Sequence, residues 1–258
     1  MTQPDPPPPP SETPQEQALL QQVLAALAGY LTAVRAAIGG GPGVPDLDQW
    51  PDPSVWLQKV VSVVEPVLAD IAGRAYRREA PAAVVDDDRG WVRRYLDGLP
   101  NRLAGIPNDV YGQVRAAVQD GLDAGDSTAD LTDRVAEVLS LGGQRWRAER
   151  IARTEAAIAE QGGQYQAALA RYGSSSGARK QWWTALDGRV RPTHRDVHGQ
   201  VLPLSESFRV GHSLLQHPGD PSGAVGEVAN CRCQLLVLPA GEDPLPVDTK
   251  PIGREESA

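Results

Sequence analysis

Residues 181–190 read QWWTALDGRV, and here the pattern of the chain changes. Upstream, apolar residues recur every three or four positions, as on helices; downstream come short runs bounded by Gly, Pro, Asp and Asn, as in strands and loops. Asp187-Gly188 is a turn signal, so the stretch reads as a strand, a turn and the start of a second strand. HGQVLPL (198–204) and CRCQLLVLP (231–239) are further short strand candidates. On a strand Trp182 and Trp183 face opposite sides, so one belongs in the core and the other covers a neighbouring element.

The upstream half reads as helices. Residues 1–14 are Pro-rich and expected to be disordered or polyproline-like. In EQALLQQVLAALAGYLTAVRAAIGG (16–40), Leu20, Val23, Leu24, Leu27, Leu31 and Val34 fall at helical spacing before a Gly-Pro stop. A second helix fits 54–76, with Pro66 predicting a kink or break near Glu65. EAPAAVVDDDRG (79–90) reads as a loop or a short strand, and further helices fit 90–99 and 108–124. In GLDAGDSTADLTDRVAEVL (121–139), Gly125 ends one helix and Asp126 or Ser127 caps the next. Asp130 sits in the first turn of that helix, and Leu131, Val135, Val138 and Leu139 form its apolar face. A longer helix fits 144–172. The fold class is therefore α+β: a helical domain over 15–140, a small loop-rich α+β domain over 141–239 and a disordered tail over 240–258.

Composition narrows the function classes. The chain has 258 residues, 41% of them hydrophobic, with a single Phe and a single Met. Small apolar residues dominate, which suits helix packing better than a thick β-sandwich. The net charge of -8 is uneven: residues 140–239 carry 12 Lys+Arg against 8 Asp+Glu, and the rest carries 13 against 25. A mildly basic C-terminal region could favour an anionic partner. Two cysteines make no disulfide framework, and a bridge across one residue would be strained, so a reducing cytoplasm is expected. The N-terminus has neither the basic segment nor the apolar run of a signal or transit peptide, and no membrane-crossing helix is expected.

The metal-capable side chains are gathered. All four histidines (His194, His198, His212 and His217) lie within 24 residues, and Cys231 and Cys233 both sit in NCRCQL. On a strand both thiols would share a face, and on one helical turn so would His194 and His198. Two thiolates and two imidazoles form a tetrahedral zinc set, although C-x-C is tighter than the usual cysteine spacing. Asp196, His212 and His217 could substitute. The other reading is that the thiols are small buried hydrophobes and His194 is hydrogen-bonded in a turn. Catalysis would need an activated thiolate beside an imidazole, or zinc with Glu227 or Asp196 as general base. Neither has a diagnostic spacing, and HExxH, G-x-S-x-G and P-loop motifs are absent, so catalysis is not expected.

Two other stretches complete the reading. In RIARTEAAIAEQGGQYQAAL (150–169), Arg153 and Glu155 either form ion pairs on a solvated face or reach into the α+β domain and hold its loops. HPGDPSGAVGEVANCRC (217–233) is turn-dense and stays ordered only if pinned, with Glu227 and the cysteine pair as candidate pins.

In this order, IARTE, WWTALDGRVRPTHRDVHGQV and HPGDPSGAVGEVANCRC resemble the Mu F-like minor head protein family of tailed bacteriophages, also called phage head morphogenesis proteins. The resemblance covers roughly 122–238. Carried over by position are Arg153, Thr154, Glu155, Trp182, Asp187, Arg189, Arg191, His194, Gly199, Pro218, Gly219, Asp220, Pro221, Glu227, Asn230, Cys231, Arg232 and Cys233. The family often has Asp where this chain has His198, which weakens a strict two-His, two-Cys site; Asp can also bind zinc.

The resemblance implies a low-copy virion protein acting in head morphogenesis. It would associate with the portal and other head proteins, assemble in the host cytoplasm and then lie inside the virion head. The mildly basic C-terminal region would face packaged DNA non-specifically, and no membrane partner is expected. The short remainder after the cysteines fits a plain minor head protein rather than one fused to a toxin or protease. Two alternatives from other classes are a head-maturation protease or metal-dependent hydrolase using His194 with Cys231 or Glu227, and an effector delivered to the host with the DNA.

Overall fold

A computed structural model describes residues 13–38, 50–79, 88–173 and 176–247. The expected polyproline segment before Thr13, most of the 79–90 linker and the tail beyond 247 lie outside the described residues. The chain is α+β, with helices preceding small antiparallel sheets. It divides into two compact units, 1–67 with 95–152 and 68–94 with 153–258. The three divisions all fall inside helices, two of them in the long α2 (Pro53–Glu79) and α7 (Leu141–Tyr172) and one in the short helix between residues 88 and 97.

The first unit is helical. It contains α1 (Pro14–Ile38), the start of α2, the end of α3 (Asp88–Asp97), α4 (Leu99–Leu103), α5 (Ile106–Ala124), α6 (Thr128–Val138) and the start of α7. Leu19, Val23, Leu27, Leu31 and Val34 of α1 are buried, as are Val60 and Val64 of α2. Tyr30 hydroxyl accepts from Trp50 Nε1 at 3.0 Å and its ring lies 5.5 Å from that of Trp56. By length and composition α1 could cross a membrane, with a mean hydropathy of 1.3, which corrects the expectation that no segment would qualify. Its many alanines raise the average without making an unbroken apolar run, and its leucines and valines form a packed face. Of the expected kink or break, the break does not occur: α2 continues through Pro66 as one helix.

The cap between α5 and α6 matches the sequence. Gly125 ends α5 in the left-handed region, at φ 74°, where a residue without Cβ is unstrained. Ser127 then begins α6 with a reciprocal capping box: its hydroxyl accepts from the Asp130 amide, and the Asp130 carboxylate accepts from the Ser127 amide.

The second unit carries the sheets. β1 (Arg179–Trp183) is central, with antiparallel β2 (Val201–Pro203) on one side and antiparallel β5 (Gln234–Leu238) on the other. β3 (Phe208–Val210) and β4 (Ser213–Leu215) form a separate hairpin. The strand candidates named above do not include that hairpin, although FRVGHSLL alternates. Gly211 at its first turn position has φ 58°, as a tight hairpin turn requires. Trp182, Phe208, Val210, Leu215, Leu235, Cys231 and Cys233 share one buried cluster. Trp182 is fully buried and Trp183 half-buried, although β1 as a whole is buried over Lys180–Trp182 rather than alternating.

Two strand expectations are corrected. After the Asp187-Gly188 turn the chain enters a short helix, α8 (Pro192–Asp196), not a strand. Pro192 presets the first helical φ and has no N–H for a sheet ladder. The cysteines precede β5 rather than lying on it. A four-residue helix, α9 (Val225–Val228), completes the unit. Residues 240–247, assigned above to a disordered tail, are placed against β1: Leu245 N–H donates to Gln181 Oε1 and Leu245 O accepts from Gln181 Nε2, both at 3.0 Å.

Candidate metal centre

The site is assembled from α8, α9 and the segment entering β5. α8 presents His194, only 2% exposed, toward the core. Cys231 and Cys233 approach it from the chain just before β5. His194 Nδ1 lies 3.4 Å from Cys233 Sγ and 3.7 Å from Cys231 Sγ. The other ring nitrogen, Nε2, lies 3.1 Å from Glu227 Oε2 on α9. Thr193 Oγ1 donates to that same carboxylate oxygen at 2.8 Å. Trp182 sets its ring edge-on to His194 at 5.5 Å.

α7 aims the cysteine segment. Asn230 adopts φ 58°, a left-handed conformation that Asn tolerates better than most residues. Its amide donates to Thr154 Oγ1 at 3.0 Å, and its Oδ1 accepts from Arg153 Nη1 at 3.2 Å. Further along α7, Gln161 Oε1 accepts from Leu235 N–H at 2.7 Å. Arg153 and Glu155 are both buried. Arg153 thus reaches a loop of the α+β unit instead of lying on a solvated face.

The remaining signature residues fix the loops around this centre. Asp187 receives a bidentate pair from Arg232 at 2.6 and 2.7 Å; Arg232 holds the Asp187 carboxyl below the usual carboxylate range. Gly199, at φ 78°, donates its N–H to Trp182 O at 2.8 Å. The HPGDP loop is tied by Asp220, which accepts from the amides of Gln216 at 2.7 Å and Ser222 at 2.9 Å. Burial opposes the Asp220 charge, but His217 and these amides leave its carboxyl below the ordinary value.

His198 is not brought to the other three. α8 ends at Asp196, so His198 falls past the helix and off the face of His194. Its Nδ1 faces the Thr184 amide at 3.2 Å and its ring packs on Trp183 at 4.6 Å. Partial burial lowers its pKa. Among the described residues, the group able to share a metal is His194, Cys231 and Cys233, whose ligand atoms all lie within 4.8 Å of one another. Of the two thiols, Cys231 is the one whose ionised form is favoured, first by the hydrogen bond from Cys233 and then by His194. Cys231, together with burial, in turn pushes the Cys233 pKa up. A groove lined by Arg189, Arg191, Asn230 and Arg232 reaches the cluster from outside.

A second polar constellation escaped the sequence reading. Lys180 of β1 is fully buried, and its Nζ donates to Gln216 O and Oε1, both at 2.8 Å. It also lies 4.6 Å from the ring centre of Tyr165. Burial lowers its pKa to about 8. The residue types of β1, Arg-Lys-Gln-Trp-Trp, do not announce it, since the strand is buried from Lys180 through Trp182 without alternation.

Residues 112–236 match the family described as phage Mu protein F like protein. A curated relative, Minor head protein GP7 of Bacillus phage SPP1, is 28% identical over 147 residues. That alignment covers 57% of this chain and 46% of the relative, so it spans about half of that protein's length. No solved structure gives a significant match. IARTE, the β1–α8 stretch, the HPGDP loop and the cysteine pair all lie inside the matched residues, and over them the chain is similar to the phage Mu protein F like family and to this minor head protein.

Proposed function

We propose that this protein is a component of the phage head, acts in head morphogenesis and does so in contact with the portal inside the procapsid. The observation that carries the reading is the family match over 112–236, within which fall the side chains that hold the second unit together, from Arg153 on α7 to Glu227 on α9. These residues serve to shape a rigid module. Cys231 and Cys233 are 2% and 5% exposed, which suits a structural role better than attack on a polymer substrate.

Contact with packaged DNA belongs to the same proposal, with Arg189 and Arg191 at the groove as the candidate surface. Such contact would be sequence-independent and would weaken steeply with salt. The portal claim is tested by co-purification of the full chain with the portal protein of the same phage. Retention at moderate salt is expected; no association at low salt would remove it. Co-expression with the phage's major capsid protein tests the enzymatic alternative, since cleavage that disappears in His194→Ala would overturn a purely structural role.

A further inference from the structure

The geometry points to a zinc site with three protein ligands, His194 Nδ1, Cys231 Sγ and Cys233 Sγ, and a fourth position open to the groove of Arg189 and Arg191. In a tetrahedral zinc site, with Zn–N about 2.0–2.1 Å and Zn–S about 2.3 Å, a nitrogen and a sulfur ligand stand about 3.5–3.6 Å apart. The two separations here are 3.4 and 3.7 Å. Both sulfurs are met by the same nitrogen, so the three atoms bound one face of a tetrahedron.

The outer contacts match what such a site requires. A ligating imidazole ordinarily donates its second N–H to a carboxylate, which fixes the tautomer and the ring orientation. Glu227 Oε2 stands 3.1 Å from His194 Nε2 and is itself held by the Thr193 hydroxyl. The hairpin turn is close as well: a Cβ on Gly211 would sit 2.7 Å from Glu227 Oε1. Glu227 is therefore a positioning residue on the far edge of the ring, not a ligand. His198 cannot serve as the fourth ligand where it stands, because it lies outside the group whose ligand atoms come within 4.8 Å of one another, with its ring packed on Trp183. Solvent entering by the groove takes that place. Two thiolates with one imidazole select a borderline-soft ion such as zinc over magnesium or calcium. The ion would join α8 to the β5 entry, clamping a unit whose sheets are too small to be rigid alone.

The test uses the full chain without a His tag, purified under reductant and analysed for metals. About one zinc per chain is expected, lost in His194→Ala and in Cys233→Ser. Cobalt substitution should give a thiolate-to-cobalt charge-transfer band. His198→Ala should keep its zinc, and Glu227→Gln should bind it about 10–100-fold more weakly. A wild-type protein holding less than about 0.1 zinc per chain, even after anaerobic incubation with zinc, overturns the proposal whatever the variants do. So does full zinc content in His194→Ala, or zinc lost from a folded His198→Ala. A metal-free protein with one rapidly alkylated thiol overturns it in favour of a Cys–His–Glu nucleophile.

Discussion

Asn230 is held in a left-handed conformation by α7: at φ 58° its amide donates to Thr154 Oγ1 at 3.0 Å. Cys231 follows directly, so this bend decides where the thiols point. Asn230→Ala loses the Arg153 contact and adds backbone strain, at a cost of about 1–3 kcal/mol. Asn230→Gly should recover the backbone part alone and fall between the two. Urea unfolding of the three proteins, compared at equal slope, checks the order.

Gly199 should tolerate no side chain. Its φ is 78° and a Cβ there would collide with Val247 Cγ2. Gly199→Ala is expected to lose about 1–2 kcal/mol from the left-handed backbone alone, plus whatever the 240–247 segment loses on being displaced. Adding Val247→Ala should recover only the second part. Thermal unfolding gives the total, and faster proteolysis within 240–247 reports the displacement.

Lys180 makes stability depend on alkaline pH. Its folded pKa is lowered from 10.5 to about 8, so between these values the unfolded chain binds more protons. Stability then rises with pH from about 8 to about 10.5, by a ceiling on the order of 3 kcal/mol. Below pH 8 the lysine is charged in both states and the full cost of burying it remains. Denaturant unfolding across this range should show the rise in wild type and its absence in Lys180→Met. An equal slope in both proteins would assign the effect to other groups.

Ser127→Ala removes the capping box at the start of α6. The expected cost is about 1 kcal/mol, within a range of about 0.5–2, and Ser127→Asp should recover most of it. Circular dichroism melting resolves both. Zinc content should not change, because Ser127 lies in the first unit and the His/Cys cluster in the second.

Long elements were legible and their meetings were not. The helices over 14–38 and 106–124 show their apolar spacing across several turns, and Ser127 with Asp130 announces a cap through local spacing alone. Three of the five strands among the described residues follow from short runs after Gly or Asn. The α8 region misleads because Asp-Gly suggests a hairpin, whereas Pro192 a few residues later diverts the chain into a helix. His194 and His198 have helical spacing, but α8 ends between them, and spacing alone cannot reveal that. The partnership of Glu227 with His194 crosses 33 residues and is set by packing, as is the burial of Lys180. The grouping of 68–94 with the C-terminal residues has no local signature at all.

That grouping governs the order in which the protein can fold during synthesis. Gly163 of α7 lies so close to α2 that a Cβ would come within 2.7 Å of Ala72 O, yet the ribosome makes these residues far apart. The strand β5 that completes the sheet, and the Asn230 bend that α7 anchors, come later still. A nascent chain must therefore carry the second half of α2 without its α7 neighbour until Gly163 is made, and β1 without β5 until Gln234–Leu238 are made. Domains whose contacts span long sequence separations close slowly and stay vulnerable to aggregation meanwhile. The second unit therefore closes only after Gln234–Leu238 have been made, and a chain cut before Gln234 has a first unit complete in sequence and a second that cannot close.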